Sequence, residues 1–367
     1  MQPLHGFLDA VELIDSDEPL ERLPQAPAVF LIRQREGRPY LGRTSLLRRR
    51  AMRLLKKRDQ PSRLLNLRDS FWRLEYWLTG SALDAAMQLY ELAVEHFPEE
   101  YARILRLRNP AYVKLLLANA WPRSMVTSQI GSSRALYFGP FRTRASAEAF
   151  ESQFLGLFQI RRCQEDLVPS PEHPGCIYGE MNRCLRPCQQ AVSPEEYAQE
   201  VARAKEFLTT AGQSLLRSIS SARDRLSTEM EFEEAARQHQ WLERVEEVLR
   251  LRDDLAGDIE TLNAIAVARS AIQGAVDLFL LRNGQWKGSV SIGFQLEDGK
   301  PVSIDQKLRE ALTPVSDSRL ANRERQDRLA LLARWYHSSW RDGELISFTS
   351  WDQPPIRKLV NAISRIV

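Results

Sequence analysis

The chain holds four cysteines, and all four fall in one window of 26 residues with the spacing Cys163-x12-Cys176-x7-Cys184-x3-Cys188. The window is rich in Pro and Gly and poor in apolar residues, so it reads as a loop that something other than a core must hold together. Four thiolates on such a loop are a ligand set for tetrahedral zinc or for an iron–sulfur cluster, and bound metal would supply the folding energy the loop lacks. Zinc modules pair cysteines about two to four residues apart, and only Cys184 and Cys188 are that close. Arg161, Arg162, Arg183 and Arg186 flank the thiols and would offset the negative charge of a thiolate-bound centre. Spacing alone leaves zinc and cluster both open.

A length of 367 residues exceeds the usual single core and implies about two to four domains. The N-terminal stretch MQPLHGFLDAVELIDSDEPLERLP has neither a basic nor an apolar leader segment, and no run approaches about 18 apolar residues. The expectation is a cytoplasmic protein without signal peptide, membrane span or membrane partner, in which disulfides explain clustered cysteines less well than metal does. The net charge of +3 conceals a one-sided segment. From Gly37 to Arg58 there is no acid, while Arg38, Arg43, Arg48, Arg49, Arg50, Arg53, Lys56, Lys57 and Arg58 are cationic. Such a field favours a polyanion, because each phosphate neutralised releases counterions; a solvated helix face is the other reading.

Along the chain, Val29–Arg33 and Pro39–Leu41 read as short strands, followed by a basic amphipathic helix from about Ser45. Residues 69–104 read as a strand and a helix that closes at Pro98. RALYFGPF reads as a strand entering a Gly-Pro turn, and Ala147, Phe150, Phe154, Leu157 and Phe158 recur at helical spacing. Ser193, Pro194 and Glu196 form a capping box that starts a helix. Helices continue to about Arg252, and after Gly257 AVDLFLLR, Asn283-Gly284 and QWKGSVSIGF make a hairpin.

The series AVFLI, PYLGR, LLRRR, YFGPF, RRC, RCLRPC, SPEEYAQEV and FEEAARQHQWLERV resembles, in this order, the UvrC subunit of the bacterial UvrABC excision nuclease. The resemblance runs over about residues 25–300. It implies an α/β multidomain protein: a small GIY-YIG-like α/β domain at 1–105, a connecting α/β segment at 106–160, a cysteine-rich metal-binding loop at 161–192, a helical region with a UVR hairpin at 193–255, and a C-terminal α/β remnant at 256–367 resembling a truncated RNase H-like domain. For Cys163, Cys176, Cys184 and Cys188 it favours a 4Fe-4S cluster over Zn. It implies DNA and UvrB as partners, with no small-molecule substrate, and docking to UvrB through Phe232, Glu233, Ala235, Ala236 and Arg237. Phe232, Ala235, Ala236, His239, Leu242 and Val245 form one helical stripe that must be buried on something.

GIY-YIG chemistry uses a tyrosine hydroxyl near the attacking water, an arginine at the scissile phosphate and a glutamate holding a divalent metal. Tyr40, Leu41 and Gly42 match the YIG half, Arg50 matches the catalytic arginine, and Arg43, Arg48, Arg49, Arg53, Lys56 and Lys57 are candidate DNA-binding residues. Phe30 replaces the tyrosine of the GIY half, Leu54 stands where a second site tyrosine is common, and Leu89 falls at the metal-binding glutamate. Glu91, two residues on, points about 200° around a helix from Leu89. The tail holds one histidine, His337, and no recognisable Asp, Asp, His set for a second incision. The expectation is a DNA-binding, UvrB-docking repair protein with a degenerate nuclease site. The alternatives are an active single-cut nuclease using Tyr40, Arg50 and Glu91 with Mg or Mn, and a metal-stabilised scaffold.

Overall fold

The computed structural model describes residues 9–12, 18–57, 65–131, 134–294, 303–312 and 319–366; Arg58 of the basic run lies outside them. Among the described residues there are three four-stranded sheets, each antiparallel throughout.

The first sheet has the order β1-β4-β2-β3, from β1 (Asp9–Glu12), β2 (Ala28–Gln34), β3 (Tyr40–Thr44) and β4 (Phe71–Leu78). Helices α1 (Glu18–Glu21), α2 (Leu47–Leu55), α3 (Ala82–His96) and α4 (Tyr101–Ile104) accompany it. The unbroken apolar run of β2 follows from burial on both faces. Ala28, Phe30 and Ile32 meet Leu47, Ala51, Leu54 and Leu55 of α2, whereas Val29 and Leu31 meet Leu89 and Leu92 of α3.

The second sheet, ordered β6-β5-β7-β8, is built from β5 (Ala111–Leu115), β6 (Ser124–Thr127), β7 (Leu136–Phe141) and β8 (Gly257–Asp258). Between its last two strands come α5 (Arg144–Phe154), α6 (Ile177–Glu180), a short 3-10 turn (Pro187–Gln189), α7 (Pro194–Thr209), α8 (Gln213–Thr228) and α9 (Phe232–Arg250). One expectation is corrected here. Gly139-Pro140 is not a turn but lies inside β7, where the register against β5 shifts between Ala111 and Val113. A ladder irregularity tolerates a residue without N–H, and a Cβ on Gly139 would stand 2.6 Å from the Tyr112 ring. The segments expected at 106–160 and 193–255 share one core, in which Phe154 stacks on Phe150 (6.1 Å between centroids) and meets Phe158 (5.3 Å) and Phe207 of α7 (5.7 Å). Leu157 and Phe158 lie beyond the end of α5 but stay buried in that core.

The third sheet, ordered β11-β10-β9-β12, comprises β9 (Asn263–Arg269), β10 (Ala275–Arg282), β11 (Gln285–Gly293) and β12 (Gly343–Phe348). Asn283 (φ 52°) and Gly284 (φ 63°) make the tight hairpin turn read from their dipeptide. Helices α10 (Ile304–Leu312) and α12 (Ile356–Ile366) cover one face and α11 (Asn322–Tyr336) the other. Among the described residues no helix is long and apolar enough to cross a membrane.

The capping box forms as read: Ser193 Oγ accepts from the Glu196 amide (3.2 Å) and Glu196 Oε2 accepts from the Ser193 amide (3.0 Å). Ser193→Ala should lower stability at pH 7 by about 1 kcal/mol, read from the urea midpoint. The bonds from Ser193 hold the Glu196 carboxyl below its ordinary range. That stabilisation is present above the unfolded carboxyl's pKa and is lost as pH falls through the folded value, so the gap between wild type and variant should narrow on acidification.

Candidate nucleic-acid interface and thiol centre

Helix α2 buries Leu47, Ala51, Leu54 and Leu55, which turns its arginines to the remaining faces. Arg50 Nη2 donates to Tyr40 Oη at 2.8 Å, so the structure brings these two candidate site residues together. They border a groove of about 500 Å³ lined by Thr44, Ser45, Leu46, Arg49, Arg50 and Arg53. Arg49, Arg53, Lys56 and Lys57 are exposed around it, Arg43 is exposed on the other face of β3 with Leu41, and Arg48 Nε is folded back onto the Leu23 carbonyl. Arg38 is drawn off to Glu100. The Phe30 ring lies beside Tyr40, 6.1 Å between centroids, and over Gly42, where a Cβ would stand 2.8 Å from it. No larger residue fits at Gly42 unless that ring moves.

Glu91 is not part of this groove. Tyr40 packs on the α2 face of the sheet, whereas Leu41 packs on the α3 face beside Leu89. Glu91, on a different side of α3 from Leu89, meets α11, where Arg328 Nη1 stands 3.5 Å from its Oε1. Burial raises the Glu91 carboxyl and Arg328 opposes that rise. Leu54 is core.

The thiol segment is tied to the second core by hydrogen bonds. The Arg161 amide donates to Tyr197 Oη (2.9 Å), which donates to the Pro122 carbonyl (2.7 Å), and the Leu185 amide donates to the Gln159 carbonyl (3.1 Å). Cys184 and Cys188 are buried, Cys163 half-buried and Cys176 exposed. Burial pushes the Cys184 thiol up to about 11, with Cys163, Cys176 and Cys188 adding to the rise, so Cys184 lies within electrostatic reach of the other three. Among the described residues no group of three or more His, Cys, Asp or Glu is arranged to hold a single metal ion. Cations crowd the thiols: Arg161 Nη1 is 3.4 Å from Cys163 Sγ, and Arg162 lies over the Tyr178 ring with Nε and Nη2 buried and unpartnered.

Helices α8 and α9 form the hairpin, joined through Met230 at φ 62°. The expected single stripe divides. Leu242 and Val245 face the second core, and Ala235, outside that cluster, is also buried and so not available to a partner. Phe232 (66 % exposed), Glu233, Ala236, Arg237 and His239 face outward, with Arg237 bonded to Glu234 at 2.7 Å.

Sequence reasoning missed the buried polar set of α11. Asp327 accepts from Tyr101 Oη (2.6 Å) and Tyr90 Oη (3.3 Å), and Arg328 lies over the Tyr90 ring, 5.3 Å from its centroid. The available signal was the run NRERQDRLALLARWY, whose charges continue on the side of the helix that its apolar residues mark as buried.

Residues 111–207 match the UvrC/Cho excinuclease middle domain. It is similar to the UvrABC system protein C of Moorella thermoacetica (28 % identity, 74 % of this chain and 44 % of the relative) and of Lachnospira eligens (24 %, 79 % and 48 %). Similarity to the protein of the same name from Dehalococcoides mccartyi extends over 93 % of this chain and 57 % of the relative at 25 % identity. The chain thus spans about half the length of the curated relatives it matches. No solved structure matches it.

Arg328→Met should leave Glu91 without its cation and lower stability at pH 7 by about 2 kcal/mol, at the modest end because Glu91 is partly exposed. An acid with a raised folded pKa destabilises where it is ionised, so this loss should shrink as pH falls through the carboxylate range, checked by urea unfolding at pH 5 and 7.

Proposed function

We propose that this chain is a nucleotide excision repair protein that binds DNA through the α2 groove, docks to UvrB through α9, carries an iron–sulfur cluster on its four cysteines, and has a degenerate GIY-YIG-like nuclease site. The observation that carries the last point is the placement of Tyr40 and Arg50 on one face of the first sheet while Glu91 is paired with Arg328 from the other. A phosphate can be held where the metal that stabilises the cleavage charge has no carboxylate. Lesion-bearing duplex incubated with the protein and Mg or Mn should be bound but not cut. A nick that disappears in Arg50→Ala would reverse this in favour of the single-cut nuclease, which the intact Tyr40–Arg50 bond favours.

The thiol reading is supported by the gathering of all four cysteines in one window, with Cys184 in electrostatic reach of the other three, beside unpartnered buried nitrogens of Arg162. A multi-iron cluster spreads its thiolates more widely than one zinc does, and its net negative charge suits that guanidinium. Cys163, Cys176, Cys184 and Cys188 would hold it, and a bound cluster would supply rigidity to the loop and a potential set by its surroundings. Anaerobically purified protein should be brown with iron and sulfide at about four each per chain. One zinc and no colour would replace the cluster with a structural zinc site.

Docking to UvrB is supported by the outward Phe232 with small Ala236 beside it, which lets a partner helix approach closely. Phe232→Ala should abolish capture of UvrB, and undiminished capture would count against this surface. The C-terminal sheet is read as a remnant of an RNase H-like domain on sequence order, its pairing being wholly antiparallel.

A further inference from the structure

A second cationic cavity, of about 540 Å³, lies where the second sheet, the segment before it and α11 meet. Arg106 and Arg108 enter it from the link between α4 and β5, Arg142 from just past β7, Arg334 from α11 and His337 from just past the end of that helix. Arg334 is fixed by donating from Nη1 to the Leu105 carbonyl at 3.1 Å. Among the described residues Arg106, Arg108 and Arg142 make no ion pair, and His337 Nε2 is buried without a partner. Two acids approach from the side of His337, Asp253 and Asp254, and Asp253 is already engaged by the Arg142 backbone amide. Arg341, over the Tyr336 ring, adds a further cation on that side.

We propose that this cavity seats a backbone phosphate of the same nucleic-acid strand that the α2 groove holds, so that the path of the strand runs from the first unit across the junction onto α11. The inference rests on the reading of α2 as a nucleic-acid surface. Arg43 lies on the α3 face of β3, across the edge strand of the sheet from the α2 groove, and is close enough to Arg334 for the two charges to repel, so the basic field reaches round that edge to the cavity. Four arginines in one cavity exceed the charge of a single phosphate group, about −2 at most, whereas an extended polyanion supplies charge along the whole line. Of the two rings in the lining, Phe141 is buried and His337 is half-buried against Tyr336, 5.0 Å between centroids, so the arginines carry the contact and it is to backbone, independent of sequence.

The test compares R106A/R108A with R49A/K56A in the full chain, using fluorescent duplex titrated at several salt concentrations. Arg106 and Arg108 are exposed and their side chains hold no other part of the fold, so the double variant should keep the wild-type melting temperature. Its affinity should fall about tenfold near 0.1 M salt for every duplex sequence, and its log K against log salt slope should flatten by about 1.8, two phosphate contacts' worth. A wild-type affinity and slope in R106A/R108A, with R49A/K56A weakened, would overturn the cavity while leaving the α2 reading intact. Wild-type protein that binds no duplex would overturn both. Calorimetry with inorganic phosphate separates the other source of the same chemistry: phosphate binding lost in R106A/R108A, with duplex affinity unchanged, would assign the cavity to a free phosphate and overturn the strand path.

Discussion

The three sheets are held to one another by the buried charges of α11. Arg325 donates to the carbonyls of Ile259 (2.8 Å), Asn283 (3.1 Å) and Gly284 (3.1 Å) and pairs with Glu260. The next polar residues reach other units: Gln326 Oε1 accepts from the Ile130 amide (2.7 Å), Asp327 from two tyrosines of the α3 and α4 helices, and Arg328 pairs with Glu91. A charge removed from water is tolerated only with its partners in place, so this helix has few alternative positions. The apolar Leu329, Leu331, Leu332 and Trp335 contribute the bulk of the burial, and the polar contacts decide its register.

That arrangement governs the candidate site. A carboxylate on α3 can serve a metal or neutralise a buried guanidinium, and Glu91 does the second. The α2 side of the same sheet is untouched by this choice and retains Tyr40, Arg50 and the exposed cations. Binding chemistry and cutting chemistry therefore separate physically, across the thickness of one sheet.

The middle of the chain works differently. A stacked series of phenylalanines, continued by α7 and by Val245 and Val248 of α9, makes one core from segments far apart in sequence. The thiol loop and the α8–α9 hairpin hang from that core, each anchored along one edge and open along the other. Both are thereby placed to meet something outside the chain without disturbing the packing beneath.

Local physics made several elements legible in the residues themselves. The β2–β3 pair, the capping box at Ser193 and the Asn283-Gly284 hairpin depend on periodicity, a side chain three residues from an amide, and a dipeptide that tolerates positive φ. The clustering of the cysteines and of the basic run was likewise visible without coordinates. What only the tertiary structure decided was orientation. Periodicity placed Phe232 and Ala235 on one stripe, but tertiary packing covered only part of it, and Ala235 was buried while Phe232 stayed out. Gly139-Pro140 read as a turn because a strand with a ladder irregularity has no local signature. Glu91, Arg106, Arg142 and Arg334 acquired their partners or their common cavity through contacts spanning more than a hundred residues, as between Glu91 and Arg328, and no window of sequence holds both ends of such a contact.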